Sequence, residues 1–449
     1  MKNNILLSFF RWIQDFFAKL ASVFNYGEKL IIISAMIILI TTGSLLIYDN
    51  YKKTTHEVPM IGGTYREGIV ANNANELVDT TNRLTKIGLT GFADDGAIVP
   101  SVAQSWEISP DVKTYTFTIK SDYNRDEVVK ELEKQKDKWP NISIVAKDDD
   151  KIVFSFPDSY APFLASTTVP VLPYGPYNLY KNEGSELIFT KNNGYIGEKP
   201  FLDKIVIEIY PDMENLIKAY KAKEIDGAYF VEDESGFKMA DFYTFKLPRY
   251  NMMFFNTGRD VLKDKTIRQK IKNNERLDNP LTLNLVSVDN DKYHTIVEDL
   301  KNKFVALNIT LNIYYKSAND IITQIIPKRD YDILVYGLDY GADPDLYPFW
   351  HSTQATDKGY NLSNFSNIDA DVALEDARKT SDQKVRFEKY DIFWKIFSDE
   401  VPAVILSQDE WKFAVSDKFK GISTGWSVGS EDRFLKINDW YTKTKRVKN

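Results

Sequence analysis

The sequence has no cysteine and only three histidines in 449 residues. The first absence excludes disulfides, thiolate metal sites, a cysteine nucleophile and a lipid-modified cysteine anchor. Any membrane attachment must therefore come from the polypeptide itself. The second leaves His56, His294 and His351 for imidazole chemistry, and none sits in a nucleophile motif such as G-x-S-x-G. A basic footprint is missing too: the formal charge of −7 is spread along the chain with basic residues interleaved among acidic ones, so no nucleic-acid partner is expected. Repeats and low-complexity segments are absent, which sets solenoids aside. What is present is 43% hydrophobic and 14% aromatic residues, enough to build the cores of two or three domains.

One apolar run stands out. Leu30 to Ile47, "LIIISAMIILITTGSLLI", carries no charge over 18 residues and lies between Lys29 and Asp49. As a helix it covers roughly 27 Å, about the hydrocarbon thickness of a bilayer. No small-x-small cleavage site follows it cleanly, so an uncleaved single-pass signal anchor over 29–48 is expected rather than a cleaved signal peptide. Lys2, Arg11, Lys19 and Lys29 precede the run, which places the N-terminus in the cytoplasm and everything after a linker at 49–58 outside. Ahead of the span, within residues 1–28, Phe9, Trp12, Ile13, Phe16, Leu20 and Val23 form one helical stripe. Such a segment lies in the membrane interface or docks on a membrane partner.

From Pro59 onward the pattern is mixed. Alternating runs at Thr114–Lys120, Lys151–Phe156, Lys204–Tyr210, Leu281–Val288 and Ile309–Tyr315 predict strands. Helical periodicity marks Arg125–Lys138, Met213–Lys223, Tyr293–Leu307, Asp369–Lys379 and Gln383–Phe397. Interleaved strands and helices indicate an α/β architecture. The Pro- and Gly-rich stretch Leu172–Gly184 predicts an irregular connection, and the basic tail Thr442–Asn449 a solvated end.

Several phrases then line up in one order. "GGTYREG" (Gly62–Gly68), "IVPSVAQSWEISPDVKTYTFTIK" (Ile98–Lys120), "YGPYNL" (Tyr174–Leu179), "NNGYIGEKPFLDKIVIEIYPD" (Asn192–Asp212), "AKEIDGAYF" (Ala222–Phe230), "FFNTGRDVLKDKTIRQKI" (Phe254–Ile271), "DPDLYPFWHS" (Asp343–Ser352) and the stretch Tyr360–Leu406 resemble the bacterial extracellular solute-binding proteins of family 5. These are the oligopeptide, dipeptide and nickel receptors of ABC importers. The chain departs from the pattern twice. "SDYNRDEVV" follows "TFTIK" where a His-Asp-Gly turn is usual, and a long insertion after Ile271 is missing.

The resemblance implies a two-lobed periplasmic-binding-protein-like fold of class II, peptide-binding type, behind the transmembrane helix. Lobe one would span 59–257 with 407–449, lobe two 278–406, and a hinge region 258–277. It further implies no catalytic residues, no metal and no cofactor of the protein's own. The expected partners are a peptide ligand, ABC permease subunits and the membrane. Nickel chelate, haem or a sugar as cargo, and a sensing or scaffolding role, are the alternatives.

The densest cluster of functional residue types is "DYGADPDLYPFWHS", Asp339–Ser352. Asp339, Asp343, Asp345 and His351 include metal-ligand types, but the spacing lacks the glycine turn of a calcium loop. Aspartates before proline also cap turns, and Phe349 and Trp350 fit a core. In peptide-binding members of the family an aspartate of this loop pairs with the ligand's ammonium, which implies that role for Asp343 or Asp339, with Tyr340 and Trp350 as flat walls. Tyr174 and the loop after Gly68 would line the entrance from the first lobe, with Asn256 at the hinge.

Overall fold

Asn25 and Glu28 start the first helix: the Asn25 side chain accepts from the Glu28 amide at 3.0 Å, and Glu28 accepts from the Asn25 amide at 2.9 Å. In this computed structural model, which describes residues 14–15, 25–70, 74–139 and 141–448, that helix runs Tyr26–Thr54, 29 residues or about 43 Å. None of its residues is buried, and by length and composition it can cross a membrane. The amphipathic stripe ahead of it lies outside the described residues.

The expected linker is not loose. The helix continues to Thr54, and Thr55–Pro59 pairs antiparallel with Thr444–Lys448, so the tail expected to be solvated is a strand. Arg446 fixes the corner by donating to the Thr55 carbonyl at 2.7 Å, the Lys52 carbonyl at 3.2 Å and Glu57 at 2.9 Å, which satisfies acceptors the helix end leaves open. Residues up to Met60 and from Lys443 form one compact unit, and Ile61–Thr442 forms the other.

The larger unit is built on a ten-stranded sheet in the order Ile309–Lys316, Leu281–Val288, Ile333–Asp339, Ala240–Phe255, Ala403–Ser416, Gly227–Ala228, Thr64–Val70, Lys204–Tyr210, Glu186–Lys191, Tyr177–Glu183. Tyr177–Glu183 is a correction, since the stretch Leu172–Gly184 read as irregular. Its edge position explains the miss, because an exposed edge strand shows little apolar alternation. A separate four-stranded antiparallel sheet holds Ala103–Ile108, Thr114–Ile119, Lys151–Ser155 and Ser143–Lys147. The helix read as Arg125–Lys138 stops at Glu133, and Lys136–Lys138 forms a separate 3₁₀ turn.

Ala240–Phe255 and Ala403–Ser416 are the long strands of the sheet, and they run through two cores. Phe245 and Leu247 pack with Phe413 in the core of the first lobe. Met252–Phe255 pack with Ala403 in a second core that contains Leu285, Leu334, Trp350 and Phe393. Their mutual register breaks between Lys246 and Tyr250, around Pro248, a residue that cannot donate to a ladder and is tolerated at such a break. Asn251 braces the break. Its amide donates to Ser407 at 3.0 Å and Asp409 at 2.8 Å, and it accepts from the Tyr293 hydroxyl at 3.0 Å. The chain therefore passes between cores near 247–250, several residues before the boundary expected at 257.

Candidate functional site

A hairpin supplies the first wall. Thr90–Phe92 pairs with Ile98–Pro100, and the turn between them needs Gly96 at φ +84°. A Cβ there would also meet the Trp426 ring at 2.9 Å. Trp426 is held on the hairpin tip by its amide, which donates to the Asp94 carbonyl at 3.1 Å.

The opposite wall comes from the loop after Ile333–Asp339 and from the hairpin of helices Ile368–Arg378 and Gln383–Glu400. Between the two walls lies a cavity of about 320 Å³. Phe92, Ile98 and Trp426 line it on one side, and Asp343, Arg386, Phe387 and Tyr390 on the other. A neighbouring cavity of about 300 Å³ at the crossing strands, lined by Pro248, Tyr250 and Gln408, shares Trp426. Larger cavities, of about 530 and 590 Å³, are lined from the first lobe alone. Only a space walled from both lobes changes shape when the lobes move.

Each carboxylate of the Asp339–Ser352 stretch has its own arginine. Asp339, half-exposed, accepts from Arg249 at 2.9 and 3.2 Å, and takes the Gly341 amide at 2.9 Å. Asp345 accepts from Arg378 Nε at 3.1 Å through both oxygens. Asp343 accepts from Arg386 in a two-pronged pair, Nη1 to Oδ2 and Nη2 to Oδ1, with side chains 16% and 11% exposed. Arg386 Nη2 also donates to the Tyr390 hydroxyl at 2.9 Å.

Local sequence explains the placement of the two inner arginines. Arg378 ends one helix and Arg386 lies in the first turns of the next, whose N-cap Asp382 accepts the Lys384 and Val385 amides. The short turn between the helices thus presents both arginines to the loop. Burial pushes the Asp343 carboxyl up, while the Arg386 charge and hydrogen bonds pull it down. Burial also opposes the charge on Arg386, but Asp343 more than offsets this and holds the guanidinium above the ordinary arginine range.

Asp343, one of the two aspartates expected to meet a ligand's ammonium, takes a counter-charge from Arg386 within the chain. Trp350 is not a wall. It is 0% exposed, its ring packs on Phe397 with centroids 4.7 Å apart, and its Nε1 donates to the Tyr340 hydroxyl at 3.2 Å. Tyr340 is packed between Tyr250 and Phe349, with centroids 5.5 and 5.3 Å away. Tyr174 leans on Tyr123 at 5.0 Å and does not line the cavity.

Asn256 is buried in the second core, where its amide donates to the carbonyls of Arg329 and Tyr331 at 2.9 Å each. His351 is buried too, its Nδ1 2.8 Å from the Thr353 hydroxyl. The loop after Gly68 falls partly outside the described residues. Among the described residues no three His, Asp or Glu side chains gather to hold a metal. Sequence reasoning missed Arg386, Phe387, Tyr390, Phe92 and Trp426, although the paired arginines flanking a helix–helix turn were a usable signal.

The comparisons agree with this frame. Residues 126–273 match the family model described as "Bacterial extracellular solute-binding proteins, family 5 Middle". The chain is 20% identical over 319 residues to the oligopeptide-binding protein AppA of Bacillus subtilis, covering 55% of this chain and 58% of that protein, less than two thirds of its length. Among solved structures, the ABC transporter substrate-binding protein CtaP of Listeria monocytogenes superposes with a TM-score of 0.71 at 20% identity, covering 85% of this chain and 99% of that one. The Bacillus subtilis AppA structure, solved with a nonapeptide, gives 0.63 at 16% identity, covering 86% and 100%. At these identities the structural likeness shows the fold alone.

Proposed function

We propose that this chain, which belongs with the bacterial extracellular solute-binding proteins of family 5, captures peptides outside the cell and hands them to an ABC permease while held to the membrane by Tyr26–Thr54. The observation that carries the reading is the cavity walled by Phe92 and Trp426 from one lobe and by Asp343, Arg386 and Tyr390 from the other. Its volume, about 320 Å³, lies at the small end of ligand cavities, which suits a short peptide.

The two long strands, broken in register around Pro248, are the natural place for the lobes to rotate. Closing on a guest would bring the Trp426 wall toward the Arg386 wall and shift the population toward the form a permease binds. In this reading Asp343, Arg386, Phe387, Tyr390, Phe92 and Trp426 meet the guest. Tyr340, Trp350, Asn256 and the Asp339–Arg249 pair hold the loop and its lobe in place. Tyr174 braces the first lobe.

Native mass spectrometry of the full chain in detergent, followed by titration with defined short peptides, tests this. A retained or added peptide, with Trp426→Ala weakening it at least tenfold, is the expected result. A nickel chelate, haem or sugar in its place would reassign the cargo. No bound species and no response to millimolar peptide would end the reading.

A further inference from the structure

Solute capture makes no use of the basic collar where the apolar helix ends. We propose that this collar, built from the helix end and the strand Thr444–Lys448, binds the phosphate headgroups of anionic phospholipids. This rests on the reading of Tyr26–Thr54 as a membrane span and adds the class of lipid that surrounds the end of that span. All the residues involved belong to the compact unit formed by the chain up to Met60 and from Lys443.

The height of the collar follows from helix geometry. The helix does not break where the apolar run stops at Ile47 but continues to Thr54, which puts Thr55 about 12 Å beyond that run. A headgroup layer is about 5–8 Å deep on each face of a bilayer, and long basic side chains bend back toward it. Tyr48 and Tyr51, both exposed, stand on the two preceding turns, at the level where tyrosines favour a membrane interface.

No flexible spacer lets the collar drift from this level. The Thr55 hydroxyl donates to the Tyr51 carbonyl at 2.5 Å, and Arg446 donates to the Lys52 and Thr55 carbonyls at 3.2 and 2.7 Å. In the antiparallel register Lys448 lies opposite Thr55, so the basic strand meets the helix end with a lysine. Because the strand is already fixed in place, its ammonium groups lose little freedom when they meet a plane of phosphates.

The charge balance carries the choice of partner. In a chain of net charge −7, residues 49–60 and 443–448 hold Lys52, Lys53, Lys443, Lys445, Arg446 and Lys448 against only Asp49 and Glu57. Those two acids are taken, Asp49 by Lys53 at 2.7 Å and Glu57 by Arg446 at 2.9 Å. Lys52, Lys443, Lys445 and Lys448 are exposed and have no carboxylate partner among the described residues. Lys52 lies 5.0 Å from the Tyr48 ring centroid, a contact that leaves its charge in place. Each basic side chain near an anionic bilayer surface contributes a factor of about five to binding. The strand lysines follow the span by the whole length of the body, so they do not count among the flanking charges that set its orientation.

The test supplies the full chain in detergent with equal amounts of phosphatidylglycerol and phosphatidylcholine of matched acyl chains, and counts the retained lipids by native mass spectrometry. Wild type is expected to keep the anionic lipid over the zwitterionic one at least fivefold at low salt, with the preference shrinking as salt rises. Lys443→Gln/Lys445→Gln/Lys448→Gln, three changes at exposed side chains, should lose at least fivefold of that preference while melting as wild type does. Lys443→Arg/Lys445→Arg/Lys448→Arg should keep it.

A wild type without lipid preference, or a preference that the glutamine variant retains in full, would overturn the inference. Binding of soluble polyglutamate without any preference for phosphatidylglycerol would also overturn it and assign the collar to an acidic soluble partner. Liposome flotation separates the two readings. A chain that floats with liposomes of either composition but shows no lipid preference keeps its membrane span and loses only this inference, whereas a chain that floats with neither loses both.

Discussion

Replacing Tyr160 with leucine asks whether the lobes are held together away from the crossing strands. Tyr160 packs beside Phe156 in the core around the four-stranded sheet, with ring centroids 5.5 Å apart. It meets Arg378, which belongs to a helix of the other core: the guanidinium lies 5.6 Å from the Tyr160 ring centroid. The Ala161 amide donates to the Arg378 carbonyl at 3.2 Å. Leucine keeps an apolar side chain there, the backbone bond and the Asp345–Arg378 pair, and removes the aromatic ring with its hydroxyl.

A cation–π contact of this kind, partly desolvated, is worth about 0.5–2 kcal/mol. If it forms only when the lobes meet, its loss shifts the equilibrium toward separated lobes by roughly 2- to 30-fold, and apparent peptide affinity falls by up to that factor. Peptide titration of Tyr160→Leu beside wild type, with small-angle scattering on both, reads the two quantities together. Weaker binding with a larger unliganded radius of gyration is expected. Unchanged affinity and an unchanged radius would refute the idea that this contact biases closure.

Two further outcomes concern the body that carries the site. Arg433 and Glu67 form an ion pair 0% exposed on both sides, with Nη2 to Oε1 at 2.6 Å and Tyr65 donating to Glu67 at 3.1 Å. Arg433→Ala should therefore cost about 3–5 kcal/mol in denaturant unfolding, whereas Glu67→Leu/Arg433→Met should recover most of that loss. Glu431 has its carboxyl pushed up by burial first and by Asp432 next. A pKa raised on folding favours the native state below the unfolded value, and that favour is lost as pH rises through the folded value. Glu431→Gln should then melt higher than wild type at pH 7 and show no such advantage near pH 4; equal melting at pH 7 would count against the burial.

The elements whose patterns are local are legible in the amino-acid sequence. The apolar run Leu30–Ile47, the strands Lys204–Tyr210 and Leu281–Val288 and the helix from Gln383 follow from periodicity and capping over a dozen residues or so. Helix ends moved by a few residues, because frayed turns and caps carry weak signals. Pairings between distant segments are not legible in the same way. Nothing in "TKTKRVKN" announces a strand partner at Thr55–Pro59, since a strand exists only by virtue of the chain beside it.

The loop around Asp343 divides along the same line. Its composition marked it as a candidate site, and its residues alone established that acids, aromatics and prolines would crowd one short stretch. Which acid would be stranded and which satisfied depended on Arg249, Arg378 and Arg386, brought in from a crossing strand and a helical hairpin remote in sequence. Charge neutralisation falls off over a few ångströms, and separation along the chain says little about distance in space. The sequence by itself therefore determined the fold class, the long apolar N-terminal helix and the acid- and aromatic-rich loop after Ile333–Asp339. The tertiary structure alone decided which arginine neutralises each acid of that loop, because the partners meet only in space.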